Sequence, residues 1–253
     1  MAITIKSERE IELMAEAGKI LERVHNELEK ALRPGMSTKD VDTLGEEIIR
    51  SYGCIPSFLN YNGYPASICV SVNQEVVHGI PDKHRIIQEG DIVSLDAGVI
   101  YKGYHSDAAR THAVGEVSEE AKKLIQVTKE SFFEGIKFAK AGNHLFDISG
   151  AIGRYAEERG YGVVRDLCGH GIGTALHEAP EIPNYEVGRK GVRLRPGMTL
   201  AIEPMINIGT HEVDWLDDDW TVVTRDGSLS AHYENTILIT EGEPRILSLT
   251  CEN

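Results

Sequence analysis

Positive charge is scarce in this 253-residue chain. It contains 26 Lys and Arg residues against 40 Asp and Glu residues, which gives a formal net charge of −14. Nucleic acids and anionic membranes bind proteins that offer them a basic surface. The charge therefore argues against DNA and against a membrane as partners.

Cysteine and long apolar runs are scarce as well. The four cysteines are widely spaced and form no CxxC pair (Cys54, Cys69, Cys168 and Cys251). This spacing argues against a disulfide framework or a zinc finger, and it favours a reducing compartment. No apolar run is long enough to span a bilayer, and the first residues lack the basic and apolar segments of a signal peptide. We expect a soluble cytoplasmic protein.

Two pairs of helices, each followed by strands and loops, are predicted along the chain. Apolar residues recur at helical spacing over residues 7–31, 37–52, 118–140 and 145–159. Ser7, with Glu10 three residues later, predicts a capping box at the first helix. No low-complexity linker divides the chain, so we expect one domain over residues 1–253.

An internal repeat relates the two halves of the chain, about 1–115 and 116–253. A shift of about 107 positions aligns Gly35 with Gly142, Asp40 with Asp147, Gly90 with Gly197, and Asp96 with Glu203. The repeat predicts an α+β fold in which a curved, mainly antiparallel sheet is backed by two helix pairs. Asp96 and Glu203 would then face one shared centre.

Two aspartates occupy apolar-rich runs that flank Gly98 and Gly103. This pattern predicts a β-hairpin or two neighbouring strands. An isolated carboxylate is costly to bury, so Asp96 and Asp107 require a cation. The nearby Arg110 could provide it in an ion pair, and a metal ion is the alternative.

Further acids and histidines favour the metal ion. Glu203 and Glu234 lie among apolar residues, whereas His170 and His177 lie in a glycine-rich run whose backbone can approach a ligand closely. His78 ends an apolar run just before a turn. Two divalent ions would balance four carboxylates, and oxygen donors with one imidazole suit Mn, Co, Fe or Zn. Such a pair, about 3.5–4 Å apart, can hold a hydroxide nucleophile and polarise a carbonyl group.

Five motifs in this order resemble those of the type I methionine aminopeptidases, and the resemblance extends over nearly the whole chain. They are Cys69–Pro81, Ser94–Gly98, Ser106–Thr111, Gly169–Gly173 and Ile202–Met205. The resemblance implies the pita-bread fold, in which two pseudo-symmetric halves surround a site for two metal ions. It also implies removal of the N-terminal methionine from nascent proteins whose second residue is small.

The resemblance further implies a role for each residue of the centre. Asp107 and Glu234 would bridge two divalent metal ions, Asp96 would bind one of them, and His170 and Glu203 would bind the other. Glu203 would also exchange a proton with the bridging hydroxide as a general acid–base. His177 would stabilise the tetrahedral intermediate, and His78 would hydrogen-bond the scissile amide.

The family's methionine pocket and a monovalent-cation site also have counterparts in this sequence. The pocket residues would be Tyr61, Tyr64, Cys69, Leu176 and Trp220, with Phe58 at the edge. Contacts between a thioether and aromatic rings favour methionine there. The monovalent cation would lie near Asn73, Glu75 and Ser230.

The implied partners are the N-termini of nascent chains, and a monomer is expected. Family members are thought to meet the ribosome through a basic loop, whereas residues 209–220 of this chain are acidic. Ribosomal RNA would repel an acidic loop at low salt. We therefore expect ribosome binding that is weak and strongly dependent on salt.

Two other functions remain open at this stage. An aminopeptidase P or prolidase, which cleaves X-Pro peptides, would share the fold and the metal ligands. Such enzymes usually carry a separate N-terminal domain, which we do not expect in a chain of 253 residues. A non-catalytic binding module on the same fold would have lost metal ligands, whereas all five ligand positions are filled here.

Overall fold

The structure is a computed structural model that describes residues 2–249, so Met1 and residues 250–253, with Cys251, lie outside the described part. Its helices are α1 Glu8–Ala31, α2 Thr38–Ser51, α3 Glu119–Ile136 and α4 Leu145–Glu157. The strands of the first half are β1 Ile55–Pro56, β2 Ile68–Val72, β3 Glu75–Val77, β4 Ile92–Tyr101 and β5 Tyr104–Ala113. Those of the second half are β6 Gly162–Val163, β7 Gly169–Gly171, β8 Glu178–Ile182, β9 Thr199–Ile202, β10 Met205–Asn207, β11 Val213–Trp215, β12 Val222–Thr224, β13 Ser230–His232, β14 Glu234–Leu238 and β15 Arg245–Ile246. The predicted α+β class is confirmed.

The helix starts follow the local sequence signals. At α1, the Ser7 amide donates to Glu10 Oε2 over 2.7 Å, which is half of the predicted capping box. The third helix ends at Ile136, four residues before the predicted end. There the backbone hydrogen bonds change from the i−4 to the i−3 pattern, in which the Ala139 amide donates to the Ile136 carbonyl.

Matching features recur at the offset of 107 positions. Capping boxes pair Ser37 with Asp40 at the start of α2 and His144 with Asp147 at the start of α4. The first residue of each box also forms an isolated antiparallel bridge, to Ile86 and to Arg193 respectively. These bridge partners differ by the same 107 positions, which supports the repeat inferred from the sequence.

The largest sheet has nine strands, and all of its strand pairs are antiparallel. Its order is β1-β4-β5-β14-β9-β7-β8, with β2 beside β4 and β15 beside β14. Strands β4 and β5 form the predicted hairpin, whose turn residues Lys102 and Gly103 both have positive φ. Because β5 pairs with β14, the junction between the two halves runs through the middle of the sheet.

Each helix pair covers one half of the sheet with its own hydrophobic core. In the first half, Leu21 of α1 and Ile49 of α2 are fully buried in one cluster with Leu95 of β4. In the second half, Phe132 of α3 and Ile148 of α4 are fully buried with residues of β9 and β14. Within residues 2–249, no helix combines the length and the apolarity that crossing a membrane requires.

Candidate metal centre and adjoining pocket

The register of three neighbouring strands places carboxylates side by side on one face of the sheet. Ala109 of β5 lies opposite Asp96 of β4 on one side and opposite Glu234 of β14 on the other. Asp107 lies two residues before Ala109 and therefore projects from the same face. The small, fully buried side chain of Ala109 leaves the space between the acids open.

Arg110 does not supply the cation that these aspartates require. Alternation along β5 directs its side chain to the opposite face of the sheet. There it donates to the carbonyl of Glu234 and, over 2.6 Å, to Asn235 Oδ1. The ion-pair interpretation of Asp96 and Asp107 is therefore excluded. Arg110 instead helps to hold the start of β14, where Glu234 lies.

The second half of the chain brings two more donors to the same place. Strand β7 carries His170 and pairs with β9, and Glu203 follows directly after β9. His170 Nε2 lies 3.6 Å from Glu203 Oε1 and 3.8 Å from Asp107 Oδ2. Donor atoms of Asp107, His170 and Glu234 all lie within 4.8 Å of one another. Such spacing is suitable for ligands that share a metal ion.

The carboxylates are buried without hydrogen-bond partners for several of their oxygens. Within residues 2–249, Asp96 Oδ1, Asp107 Oδ1 and Glu234 Oε1 have none. Burial raises the pKa of Asp96 to about 7, and it raises the pKa of Asp107, Glu203 and Glu234 well above the ordinary value. Neighbouring carboxylates add to the effect at these last three. Divalent cations would satisfy these oxygens, so the residues fit a metal centre.

The histidine of the centre is in the form that binds metals. His170 Nδ1 lies 2.9 Å from the Gly171 carbonyl, which can only accept, so Nδ1 carries the proton. This leaves the lone pair of Nε2 free toward Asp107 and Glu203. Burial also lowers the pKa of His170 to about 3, which keeps the ring neutral. A neutral imidazole whose second nitrogen is hydrogen-bonded is the usual histidine ligand of a metal.

The carboxylates and His170 line the floor of a cavity of about 170 Å³. Its walls contain all six residues expected in the methionine pocket, namely Phe58, Tyr61, Tyr64, Cys69, Leu176 and Trp220. Sites for drug-sized ligands begin at roughly 300 Å³, so this cavity suits a single side chain. The Trp220 ring packs edge-on against Tyr64, with the centroids 5.1 Å apart.

Two further histidines border the cavity. His78 has a positive φ of 58°, which non-glycine residues rarely adopt and which is common at functional sites. Burial lowers its pKa to about 4. His177 lies in the loop between β7 and β8, with its ring centroid 4.2 Å from that of His170. Burial lowers the pKa of His177 as well.

The three residues expected at a monovalent-cation site lie together, outside the lining of this cavity. Asn73 is in the turn between β2 and β3, and its carbonyl accepts from the Ser230 amide over 2.9 Å. Glu75 Oε2 accepts from the Val72 amide over 2.7 Å. Burial raises the pKa of Glu75.

Sequence reasoning missed His232 and Asn62. His232 is buried, and its Nε2 lies 3.9 Å from both Glu203 Oε2 and Glu234 Oε2. Its position two residues before Glu234 was a usable signal, because alternate residues of an extended segment share a face. Asn62 lines the cavity from a turn, and the sequence offered no signal for its direction.

Comparison with known proteins identifies the family. A model of metallopeptidase family M24 matches residues 12–241. A methionine aminopeptidase of Clostridium acetobutylicum is 58% identical over 99% of this chain and 100% of that protein. The crystal structure of methionine aminopeptidase from Thermotoga maritima has a TM-score of 0.96 at 48% identity, covering 98% of this chain and 100% of that one. An Xaa-Pro dipeptidase from Bacillus anthracis has a TM-score of 0.79 at 28% identity, but this chain spans only 63% of it.

These likenesses confirm the pita-bread fold and the resemblance found in the five motifs. The metallopeptidase model also agrees with a centre built from carboxylates and an imidazole. The chain belongs to metallopeptidase family M24 and, within it, to the methionine aminopeptidases.

Proposed function

We propose that this protein removes the N-terminal methionine from nascent proteins and peptides whose second residue is small. One observation carries the proposal most strongly. Four carboxylates and one imidazole converge at the floor of an aromatic-walled cavity that has room for one side chain. A site of this kind can hydrolyse the peptide bond that follows a single bound residue.

The metal ligands of the proposed enzyme are Asp96, Asp107, His170, Glu203 and Glu234. Bound divalent ions supply a water of lowered pKa and polarise the scissile carbonyl group. The carboxylates would compensate the charge of the ions, and we assign Asp107 and Glu234 as the ligands that would hold both of them. The residues are compatible with Co, Mn, Fe or Zn. Elemental analysis of protein purified without added metal would identify the metal and its stoichiometry.

Glu203 is suited to be the general acid–base. Its side chain is 14% exposed, whereas those of Asp107 and Glu234 are 6% and 2% exposed. Burial raises the pKa of Glu203 well above its ordinary value, which favours the protonated form that a general acid requires. It would accept a proton from the attacking water and deliver it to the leaving amine.

The two outer histidines would bind the reacting amide. His177 would donate a hydrogen bond to the oxygen that becomes negative in the tetrahedral intermediate. His78, whose backbone has a positive φ, would hydrogen-bond the scissile amide. Tyr61, Tyr64 and Trp220 would contact the methionine thioether, at about 0.3–1.5 kcal/mol for each sulfur–aromatic contact.

Release of methionine from Met-Ala-Ser, compared with cleavage of an X-Pro peptide, tests the function. Metal-stripped protein would be assayed after addition of Co or Mn. We expect release of methionine and no X-Pro cleavage. We also expect Glu203→Ala to abolish turnover, while Glu186→Ala, which alters an exposed carboxylate paired with Arg154, serves as the matched control. Cleavage of the X-Pro peptide alone would make the protein a prolidase-like enzyme, and an active Glu203→Ala enzyme would contradict the mechanism.

A monovalent cation near Asn73, Glu75 and Ser230 is part of the proposal. The Ser230 amide donates to the Asn73 carbonyl, so the turn at Asn73 lies beside strand β13. Such a cation would compensate the carboxylate of Glu75 and raise the melting temperature in potassium or sodium salts above that in a choline salt. Equal melting temperatures in these salts would contradict this assignment.

We propose that the protein acts on nascent chains in the cytoplasm and binds ribosomes only weakly. The acidic residues 209–220 contain β11 and most of its connection to β12, which carries Asp217, Asp218 and Asp219. Trp215 and Leu216 of the same segment are exposed. Acidic side chains would be repelled by the phosphates of ribosomal RNA. Co-sedimentation with ribosomes that persists at high salt would contradict this expectation.

A further inference from the structure

Tyr61 contacts the histidine that the proposed mechanism places at the scissile carbonyl. The Tyr61 hydroxyl oxygen lies 2.7 Å from His177 Nδ1, a normal hydrogen-bond length. The two ring centroids are 5.2 Å apart. Within residues 2–249, His177 Nε2 has no hydrogen-bond partner. The ring therefore uses one nitrogen for Tyr61 and keeps the other for a ligand.

The direction of this hydrogen bond follows from the partners that the hydroxyl group has. A phenol has a single proton. Within residues 2–249, His177 Nδ1 is the one atom that this hydroxyl contacts at hydrogen-bond distance, so the phenol proton is directed at Nδ1. A nitrogen that accepts carries no proton, so the proton of the neutral imidazole lies on Nε2.

The turn that carries Tyr61 holds the backbone of this residue in one conformation. Tyr61 begins a short 3-10 turn, Tyr61–Gly63, and the residues on either side, Asn60 and Asn62, both have positive φ. Asparagine is among the few non-glycine residues that tolerate this conformation. The Tyr61 amide donates to the Phe58 carbonyl and the Tyr64 amide donates to the Tyr61 carbonyl, each over 2.9 Å. The backbone at Tyr61 is therefore fixed on both sides.

We propose that Tyr61, besides contributing to the pocket wall, is a positioning residue that fixes the Nε2–H tautomer of His177. Nε2–H is then ready to donate to the oxygen of the scissile carbonyl as it becomes negative. The aspartate of a serine-protease triad has the same kind of role, since it holds a catalytic histidine in one tautomer. The inference rests on the proposed function for its catalytic consequence, although the tautomer itself does not depend on it.

Nitrogen NMR of the His177 imidazole measures the tautomer directly. The spectrum would be recorded on protein loaded with Zn²⁺, which is diamagnetic, and His177→Gln would assign the resonance. We expect the wild type to carry its proton on Nε2. In Tyr61→Phe, which keeps the ring and loses the hydroxyl, we expect a mixture of the two tautomers. A proton on Nδ1 in the wild type, or an unchanged spectrum in Tyr61→Phe, would overturn the inference.

Kinetics provide the second measurement. Removing a donor to a developing oxyanion costs about 100-fold to 1,000-fold in kcat. Because Tyr61→Phe leaves part of the rings in the productive tautomer, we expect a smaller decrease of about tenfold in kcat with KM changed less than about twofold. The double variant Tyr61→Phe/His177→Gln should be no slower than His177→Gln alone. Tyr104→Phe removes a hydroxyl that bonds Glu10 outside the cavity, and it should leave both constants unchanged.

The two measurements separate this inference from the proposed function. Protein that holds Nε2–H but releases no methionine would refute the function and leave the tautomer assignment standing. Active protein with the proton on Nδ1 would refute the inference alone. The inference would also be refuted if the two substitutions lowered kcat by factors that multiply in the double variant. Residues that act independently behave in this way.

Discussion

In the metal-stripped protein, the free energy of unfolding should decrease as the pH rises from acid to neutral. Burial raises the pKa of Asp96 from its ordinary value of 3.8 to about 7. A carboxyl group with a raised pKa binds its proton more tightly in the folded than in the unfolded chain. The cost to stability is therefore absent below about pH 4, grows between about pH 4 and 7, and is complete above about pH 7.

The size of this effect is large compared with the stability of a protein. A shift of about three pKa units, at about 1.4 kcal/mol per unit, amounts to on the order of 4 kcal/mol. Whole domains are stable by only about 5–15 kcal/mol. Asp107, Glu203 and Glu234 have pKa values shifted in the same direction. They act in the same direction as Asp96, and bound divalent ions would remove the cost to stability.

Urea unfolding of metal-stripped wild type and Asp96→Asn measures the effect. At about pH 3 the two should have similar stability, because the carboxyl group is then mostly protonated in both the folded and the unfolded state. At about pH 8 the variant should be the more stable of the two, since its amide carries no charge. Adding metal should reverse this order, because a bound ion stabilises the folded wild type in proportion to its affinity.

Asp226→Asn is the matched control, because the pKa of Asp226 is shifted in the opposite direction. Hydrogen bonds from Ser228 and Thr210 hold that pKa at about 2. A group with a lowered pKa stabilises the fold at pH values above its ordinary pKa. This stabilisation is lost as the pH falls toward about 2. Asp226→Asn should therefore weaken the fold at neutral pH. The reasoning would be refuted if the metal-stripped wild type gained stability between about pH 4 and 8. It would also be refuted if the free energy of unfolding of Asp96→Asn changed with pH as that of the wild type does.

Three further substitutions test the surroundings of the centre. Lys6→Met removes the ammonium group 2.6 Å from Glu178 Oε2, where the two side chains are 5% and 11% exposed; it should lower the free energy of unfolding by about 3 kcal/mol. Urea titration checks this, and Lys6→Met/Glu178→Gln should recover most of the loss. Gly169→Ala would place a Cβ atom 2.4 Å from the Ala201 carbonyl oxygen. It should therefore separate β7 from β9, displace His170, and lower both the metal content and the melting temperature. Gly242→Ala, whose Cβ atom would have no neighbour within 4 Å, should change neither quantity. His78→Asn retains a residue that tolerates positive φ but removes the imidazole, and should lower kcat by about 100-fold with little change in KM; a normal kcat would contradict the role of His78 at the scissile amide.

Much of the fold could be predicted because its signals are local. Helical periodicity and residues such as Ser7 and Glu10 fixed the start of α1 to within one residue. The end of α3 was predicted less well, because no proline or glycine follows Ile136 for several residues. The helix ends there through a change in backbone hydrogen bonding that composition does not indicate. Local signals therefore predicted where helices begin better than where they end.

The convergence of the two halves on one centre depends on strand pairing between them, which only the repeat indicated in the sequence. Asp96 and Glu234 are far apart along the chain, yet both lie opposite Ala109. The repeat placed Asp96 and Glu203 at one centre, and the family motifs added the remaining donors. What the sequence could not provide was register, because a shift of one residue in a strand moves its side chains to the other face. Arg110 illustrates this, since it is near Asp107 in sequence but projects from the opposite face.

The positions of the site residues suggest that chemistry and specificity depend on different parts of the fold. Asp96, Asp107 and His170 project from strands of the main sheet, whose register determines their separation. Tyr61 and His78, by contrast, lie in a turn and at a strand end where the backbone has positive φ at or beside the residue. Residues on regular strands hold a geometry more closely than residues on loops. Substitutions at the floor should therefore remove turnover for every substrate, whereas substitutions in the walls should change which N-terminal side chain is accepted. Wall variants that lost activity equally toward all first residues would show that the walls also position the metal ligands.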